Sequence, residues 1–162
     1  MLDSILKNKL QSRIRSYIWI VIIGLFLSGV TAFPIETELT VLINHLPYQT
    51  PELKQWLNKV YQAVSVTNTK YPFLSYGTDW LAFAHIMLAM LFVGPLKKPV
   101  KNIWVIELGV IAAVCIFPLA FIAGAVRGIP LFWTMIDCSF GVVTLLLLIP
   151  CYLDIKRLEK LT

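Results

Sequence analysis

Four long apolar segments, at residues 17–33, 80–96, 103–126 and 131–153, occupy most of this 162-residue chain. No other feature constrains the fold as tightly. A helix rises ~1.5 Å per residue, so runs of this length match a hydrocarbon core ~30 Å thick. A mean hydropathy of +0.77 and a hydrophobic share of 58% exclude an ordinary soluble domain. The expected fold is all-α, a four-helix transmembrane bundle with amphipathic outer-loop helices, forming one transmembrane domain over residues 1–162.

The basic residues orient the bundle. Lys7, Lys9, Arg13 and Arg15 precede the first segment; Lys97, Lys98 and Lys101 lie between the second and third; Lys156, Arg157 and Lys160 follow the fourth. If the chain alternates, these groups share one side, and the positive-inside rule makes that side cytoplasmic. Both termini are then expected inside. The other side carries Lys54, Lys59, Lys70 and Arg127, offset by Glu36, Glu38, Glu52 and Asp79. A net charge of +5 would suit a nucleic-acid partner, but clusters placed this way set topology and meet anionic headgroups instead. No nucleic-acid partner is expected. Aromatic residues agree with this orientation: Tyr17, Trp19, Trp104 and Tyr152 fall at the inner interface, and Tyr76, Trp80 and Trp133 at the outer one.

The first segment has a small residue in Val30-Thr31-Ala32 where a signal peptidase could act. The long charged region before it favours a retained transmembrane helix. Cys115, Cys138 and Cys151 all lie in apolar segments without a CxxC pair, as expected of small buried apolar side chains rather than a disulfide framework.

Residues 1–16 place Leu2, Ile5, Leu6, Leu10 and Ile14 at near-helical spacing against a basic face, predicting a cytoplasmic interfacial helix that runs into the first span. Residues 34–78 form the outer amphipathic segment. Ile35, Leu39, Leu42, Ile43 and Leu46 make one apolar stripe. After Pro47, Thr50 can cap a helix over 50–66 with Pro51 at its first position and Glu52 in its first turn. Leu53, Trp56, Leu57, Val60, Tyr61 and Val64 then form a second stripe. This segment is read as a lid over the helix ends, with a ligand lid or a docking surface left open. Gly128 can take positive φ and Pro130 can start the next helix, so the third and fourth spans are expected to be antiparallel neighbours. Gly24, Ser28 and Ala32, and likewise Gly109 and Ala113, offer small-residue packing surfaces.

Charges inside a span are costly and need a partner or water. Asp79, His85, Glu107 and Asp137 are the candidates, with Arg127 at the rim. By helix rise, His85 and Asp137 each lie ~10 Å below the outer boundary, a shared depth at which they could pair. Asp79 and Arg127 share the outer interface above them. Trp133, Thr134, Asp137, Gly141 and Thr144 fall on one helical face, a polar strip read as interhelical glue or as the wall of a polar cavity. Glu107 is expected to snorkel or to pair with Lys97, Lys98 or Lys101. Pro118 interrupts the third span and is expected to kink it toward the outer half.

Absences narrow the chemistry. His45 lies in the outer segment, so the spans hold one histidine and cannot supply a haem pair or a clustered hydrolase metal site. No G-x-S-x-G, H-E-x-x-H or P-loop occurs. Ser139 stands alone. No cofactor, metal or catalytic residue is expected.

Tyr76-Gly77-Thr78-Asp79-Trp80-Leu81-Ala82-Phe83-Ala84-His85, Arg127-Gly128-Ile129-Pro130 and Ile136-Asp137-Cys138-Ser139-Phe140-Gly141 resemble blocks of small uncharacterised four-span bacterial integral membrane proteins. That resemblance covers the three C-terminal spans and implies a bacterial inner membrane without implying an activity. The layout, with its long first outer loop, is also similar to emopamil-binding and sigma-2-receptor-like bundles, which implies sterol-like amphiphiles as ligands. The very short last outer link departs from that layout, and no residue is carried across.

The leading expectation is a non-enzymatic protein whose outer-half polar layer binds a lipid or small amphiphile, or a membrane partner. Asp79, His85, Arg127, Trp133, Thr134 and Asp137 are its binding or proton-handling residues. Alternatives are an oligomeric proton-coupled transporter using Asp137 and His85, and a membrane-embedded lipid-modifying enzyme. Membrane lipids are the expected partners, with a homo-oligomer or membrane protein partner left open.

Overall fold

Local sequence signals account for the start of one helix and the end of another. The computed structural model describes residues 2–45 and 50–161, and all elements among them are helical: α1 (Leu2–Ala32), α2 (Ile35–His45), α3 (Pro51–Lys70), α4 (Pro72–Leu91), α5 (Val93–Lys97), α6 (Ile103–Arg127) and α7 (Leu131–Glu159). Leu46 and Pro47, at the end of the first outer stripe, lie outside the described residues, as does the side chain of Leu2. Thr50 caps α3 as its sequence predicts: its Oγ1 accepts from the Leu53 amide at 3.3 Å, with Pro51 following and Glu52 in the first turn. α6 ends where Gly128 takes φ 66°. There the Ile129 amide reaches the Gly124 carbonyl at 2.9 Å and the Gly128 amide reaches Ala125, the double closure of a Schellman turn.

Four helices are long and apolar enough to cross a membrane: Ser4–Ala32, Pro72–Lys97 (α4 with α5), Ile103–Arg127 and Leu131–Glu159. Much of their apolar surface points outward; Leu119 is 67% and Leu146 68% exposed. In water such a surface would drive aggregation, whereas in lipid it is the expected exterior. The second of these helices begins at Pro72, not at residue 80. The sequence 72–79 mixes Ser75, Gly77, Thr78 and Asp79 with aromatics, so hydropathy alone read it as loop. α6 and α7 run on through Pro118 and Pro150 without a break in helix assignment.

The chain divides into two compact units, residues 1–23 with 89–162, and residues 24–88. In the first, Leu10, Ile14 and Ile18 of α1 and Leu148, Cys151, Ile155 and Leu158 of α7 are buried, together with Val105 and Ile106 of α6. The first turns of α1 continue directly into the apolar helix, and Leu10 and Ile14 are covered by protein. α6 and α7 pack closely at small residues. A Cβ added at Gly141 would come within 3.0 Å of the Ala113 carbonyl oxygen, and one at Gly109 within 2.6 Å of Leu148 Cδ1. In the second unit α2 packs on α3, burying Leu39 and Leu57. The close contact between α1 and α4 falls at Gly29, where a Cβ would meet Ala82 O at 2.8 Å. Gly24 has open space around it. The small-residue register read from Gly24 and Ser28 is therefore corrected by one position.

Candidate functional site

The candidate residues divide between the units. Asp79 and His85 belong to residues 24–88; Arg127, Trp133, Thr134 and Asp137 belong to the other unit.

Residues 24–88 enclose a pocket of about 270 Å³ bounded by α2, α3, α4 and the end of α1. Phe33, Ile35 and Leu74 supply apolar wall, and Asn68, Ser75 and Asp79 supply polar groups. A hydrogen-bond chain ties three helices together here. Asn68 Nδ2 donates to Glu36 Oε2 at 2.7 Å, and Ser75 Oγ donates to Asn68 Oδ1. The amide of Asn68, reinforced by Ser65, holds the Glu36 carboxyl below its ordinary range. Asp79 is half-buried beside this chain. Neither Glu36, Asn68 nor Ser75 was singled out as a site residue by sequence, because they come from three separate elements and share no local motif.

His85, on α4, is half-buried, with Nδ1 2.8 Å from the Leu81 carbonyl. A carbonyl only accepts, so Nδ1 is the donor in this contact. His45 makes the same local contact with Val41 at 3.1 Å.

The polar strip of α7 faces α6 at two of its positions. Thr134 is buried, donates from Oγ1 to the Pro130 carbonyl at 3.4 Å, and lies where a Cβ at Gly124 would approach to 3.0 Å. Gly141 lies against Ala113 and Phe117. These two positions serve close helix packing. Trp133 is half-buried with its ring edge-on to Phe132, and Arg127 is exposed in the last turn of α6, where a cation complements the helix dipole. Asp137 is half-buried, and within its own unit its carboxylate accepts no hydrogen bond among the described residues.

Glu107 departs from one expectation. It is exposed, and none of the ion pairs among the described residues joins it to Lys97, Lys98 or Lys101. Lys156 of α7 pairs with Glu159 at 3.1 Å.

The residue that sequence reasoning missed is Asp154. It is 2% exposed, the most deeply buried acid described, with Arg13 Nε at 3.2 Å and Arg157 NH1 at 3.8 Å. Its Oδ2 nevertheless accepts no aligned hydrogen bond. The charge contact with Arg13 is close in distance but not directed. The available signal was an aspartate one residue past an apolar run, i, i+3 from an arginine.

Among the described residues no three His, Cys, Asp or Glu side chains converge as a metal site requires. The fold and these sites define a class, an all-α protein with four helices suited to a membrane. Compared with known proteins, the chain matches no family model, no curated protein and no solved structure.

Proposed function

We propose that this chain is a non-enzymatic bacterial inner-membrane protein that binds a lipid or small amphiphile, or docks a membrane partner, through polar groups of its outer half. Both termini are cytoplasmic in this reading, which rests on the clustering of basic residues. The bacterial assignment rests on the resemblance to small four-span bacterial proteins. The observation that carries the function is the pocket within residues 24–88. It sets Asn68, Ser75 and Asp79 against an apolar wall, a pairing of surfaces that suits a molecule with one polar and one apolar end.

The test uses the full chain in lipid nanodiscs with a photoactivatable single-chain amphiphile. Crosslinks concentrated on α3 and α4 around Asn68 and Ser75, and competed by unlabelled amphiphile, support the reading. Crosslinks spread evenly over the lipid-facing surface refute it.

A second reading, an oligomeric proton-coupled transporter, is favoured by two local facts: His85 engages the Leu81 carbonyl through Nδ1, and the Asp137 carboxylate accepts no hydrogen bond within its unit among the described residues. Proton flux in liposomes that is lost in both Asp137→Asn and His85→Gln, with folding intact, selects it over the binding reading.

A further inference from the structure

A second pocket, of about 330 Å³, lies in the other compact unit, between the first turns of α1 and the end of α7. Its lining carries four cations, Lys9, Arg13, Arg157 and Lys160, and three leucines, Leu6, Leu10 and Leu161. No acid lines it. Behind it is the buried carboxylate of Asp154, which draws guanidinium groups from two different helices to one place. Arg13 and Arg157 remain 46% and 68% exposed, so each keeps donors directed outward. The nearby Glu159 is occupied by Lys156. Among the described residues, four lining cations face the one buried acid, a positive excess.

Orientation by the positive-inside rule does not require this convergence. Lys97, Lys98 and Lys101 satisfy that rule equally well while exposed. Depth gives the pocket its meaning. Arg13 lies one turn beyond Tyr17, to whose hydroxyl it donates at 3.3 Å, and Arg157 lies just beyond Tyr152 on α7. With both tyrosines as interfacial anchors, as the sequence pattern leads us to expect, Arg13 and Arg157 would stand a further ~6–8 Å outward, at headgroup depth. The leucines at the same pocket suit the apolar part of a lipid rather than a soluble anion.

We propose that this pocket binds the phosphodiester headgroup of an anionic lipid, with Lys9, Arg13, Arg157 and Lys160 as its ligands. Asp154 is a positioning residue that holds the two arginines at the rim. This site is separate from the outer-half pocket and does not depend on it.

The experiment is native mass spectrometry of the full chain, released from detergent with phosphatidylglycerol or phosphatidylcholine as the probe. The protein should retain phosphatidylglycerol selectively. Each cation that touches the bound headgroup contributes about fivefold to affinity, so the double variant Arg157→Gln/Lys160→Gln should lose about 25-fold. Lys101→Gln should lose nothing, and Arg157→Lys should retain binding. Equal elution volume and melting temperature of the variants show that the fold is kept, as the exposure of both side chains leads one to expect. Unchanged phosphatidylglycerol binding in the double variant overturns the proposal, as does equal retention of phosphatidylcholine. Displacement of the lipid by an equal concentration of soluble glycerol phosphate also overturns it, and assigns the site to a free phosphate ester.

Discussion

Arg13 Nε stands 3.2 Å from Asp154 Oδ2, so that the first turns of α1 are joined by charge to the last turns of α7. The partners are unequal. Asp154 is buried and Arg13 is nearly half exposed, and burial makes the acid the costly member of the pair.

That inequality predicts an asymmetry in stability. Arg13→Ala leaves a buried carboxylate with Arg157 at 3.8 Å and should destabilise the fold, by less than the full buried-pair cost because Arg13 is largely solvated. Asp154→Asn removes the buried charge itself and should cost less than about 1 kcal/mol. Unfolding in mixed detergent micelles measures both. A larger loss in Asp154→Asn than in Arg13→Ala contradicts this account.

Gly141 and Gly24 should respond in opposite directions to the same change. Alanine at Gly141 pushes a methyl group against the Ala113 carbonyl and should destabilise by about 1–3 kcal/mol, since the backbone of α6 must move. Alanine at Gly24 enters open space and should be neutral or stabilising by up to about 1 kcal/mol through helix propensity. Thermal melts of the two single variants decide it.

Glu36 gives the segment α2–α3 a dependence on pH. Its carboxyl is held below the ordinary value of 4.5, chiefly by Asn68, so the hydrogen bond favours the charged form. The stabilisation is therefore present above the unfolded value and is lost as pH falls through the lower folded value. Amide exchange in α3 should accelerate below pH 4.5 in the native chain more than in Asn68→Ala. Identical acid profiles would show that the bond contributes nothing.

For topology, single cysteines replacing Gln55 and Lys98 in a cysteine-free background should react with an impermeant maleimide from opposite faces of oriented vesicles. Reaction of both from one face rejects cytoplasmic termini.

How far the sequence could be read depended on whether each signal was local. The Thr50-Pro51-Glu52 start of α3 and the Gly128 turn after α6 were legible because a cap or a left-handed residue acts within a few positions. Hydropathy placed α6 to within one residue but put the start of α4 at residue 80, since polar residues in 72–79 weaken an apolar signal without breaking the helix. Asp154 was hidden for a related reason. A charge ends an apolar run by any hydropathy measure, yet its burial comes from α1, far away in sequence. The Glu36–Asn68–Ser75 chain likewise depends on tertiary placement of three elements. Gly29 was missed by one position, because small residues at Gly24 and Ser28 offered an equally plausible stripe.

The Schellman closure at Gly128 also bears on how the chain is made. Only Gly128, Ile129 and Pro130 separate α6 from α7, too few residues for the two helices to leave a translocation channel far apart in time. Insertion of α7 alone would carry Asp137 into lipid, at a cost below the about 2.5–3.5 kcal/mol of an acid at the helix centre, because Asp137 lies near the outer end. Released as a hairpin, α7 arrives already covered along Thr134 and Gly141 by α6, whose membrane-spanning length from Ile103 to Val126 holds one charged residue, Glu107, near its beginning. The short turn thus leads us to expect that the C-terminal half enters the membrane as one hairpin, in which the more apolar helix escorts the more polar one.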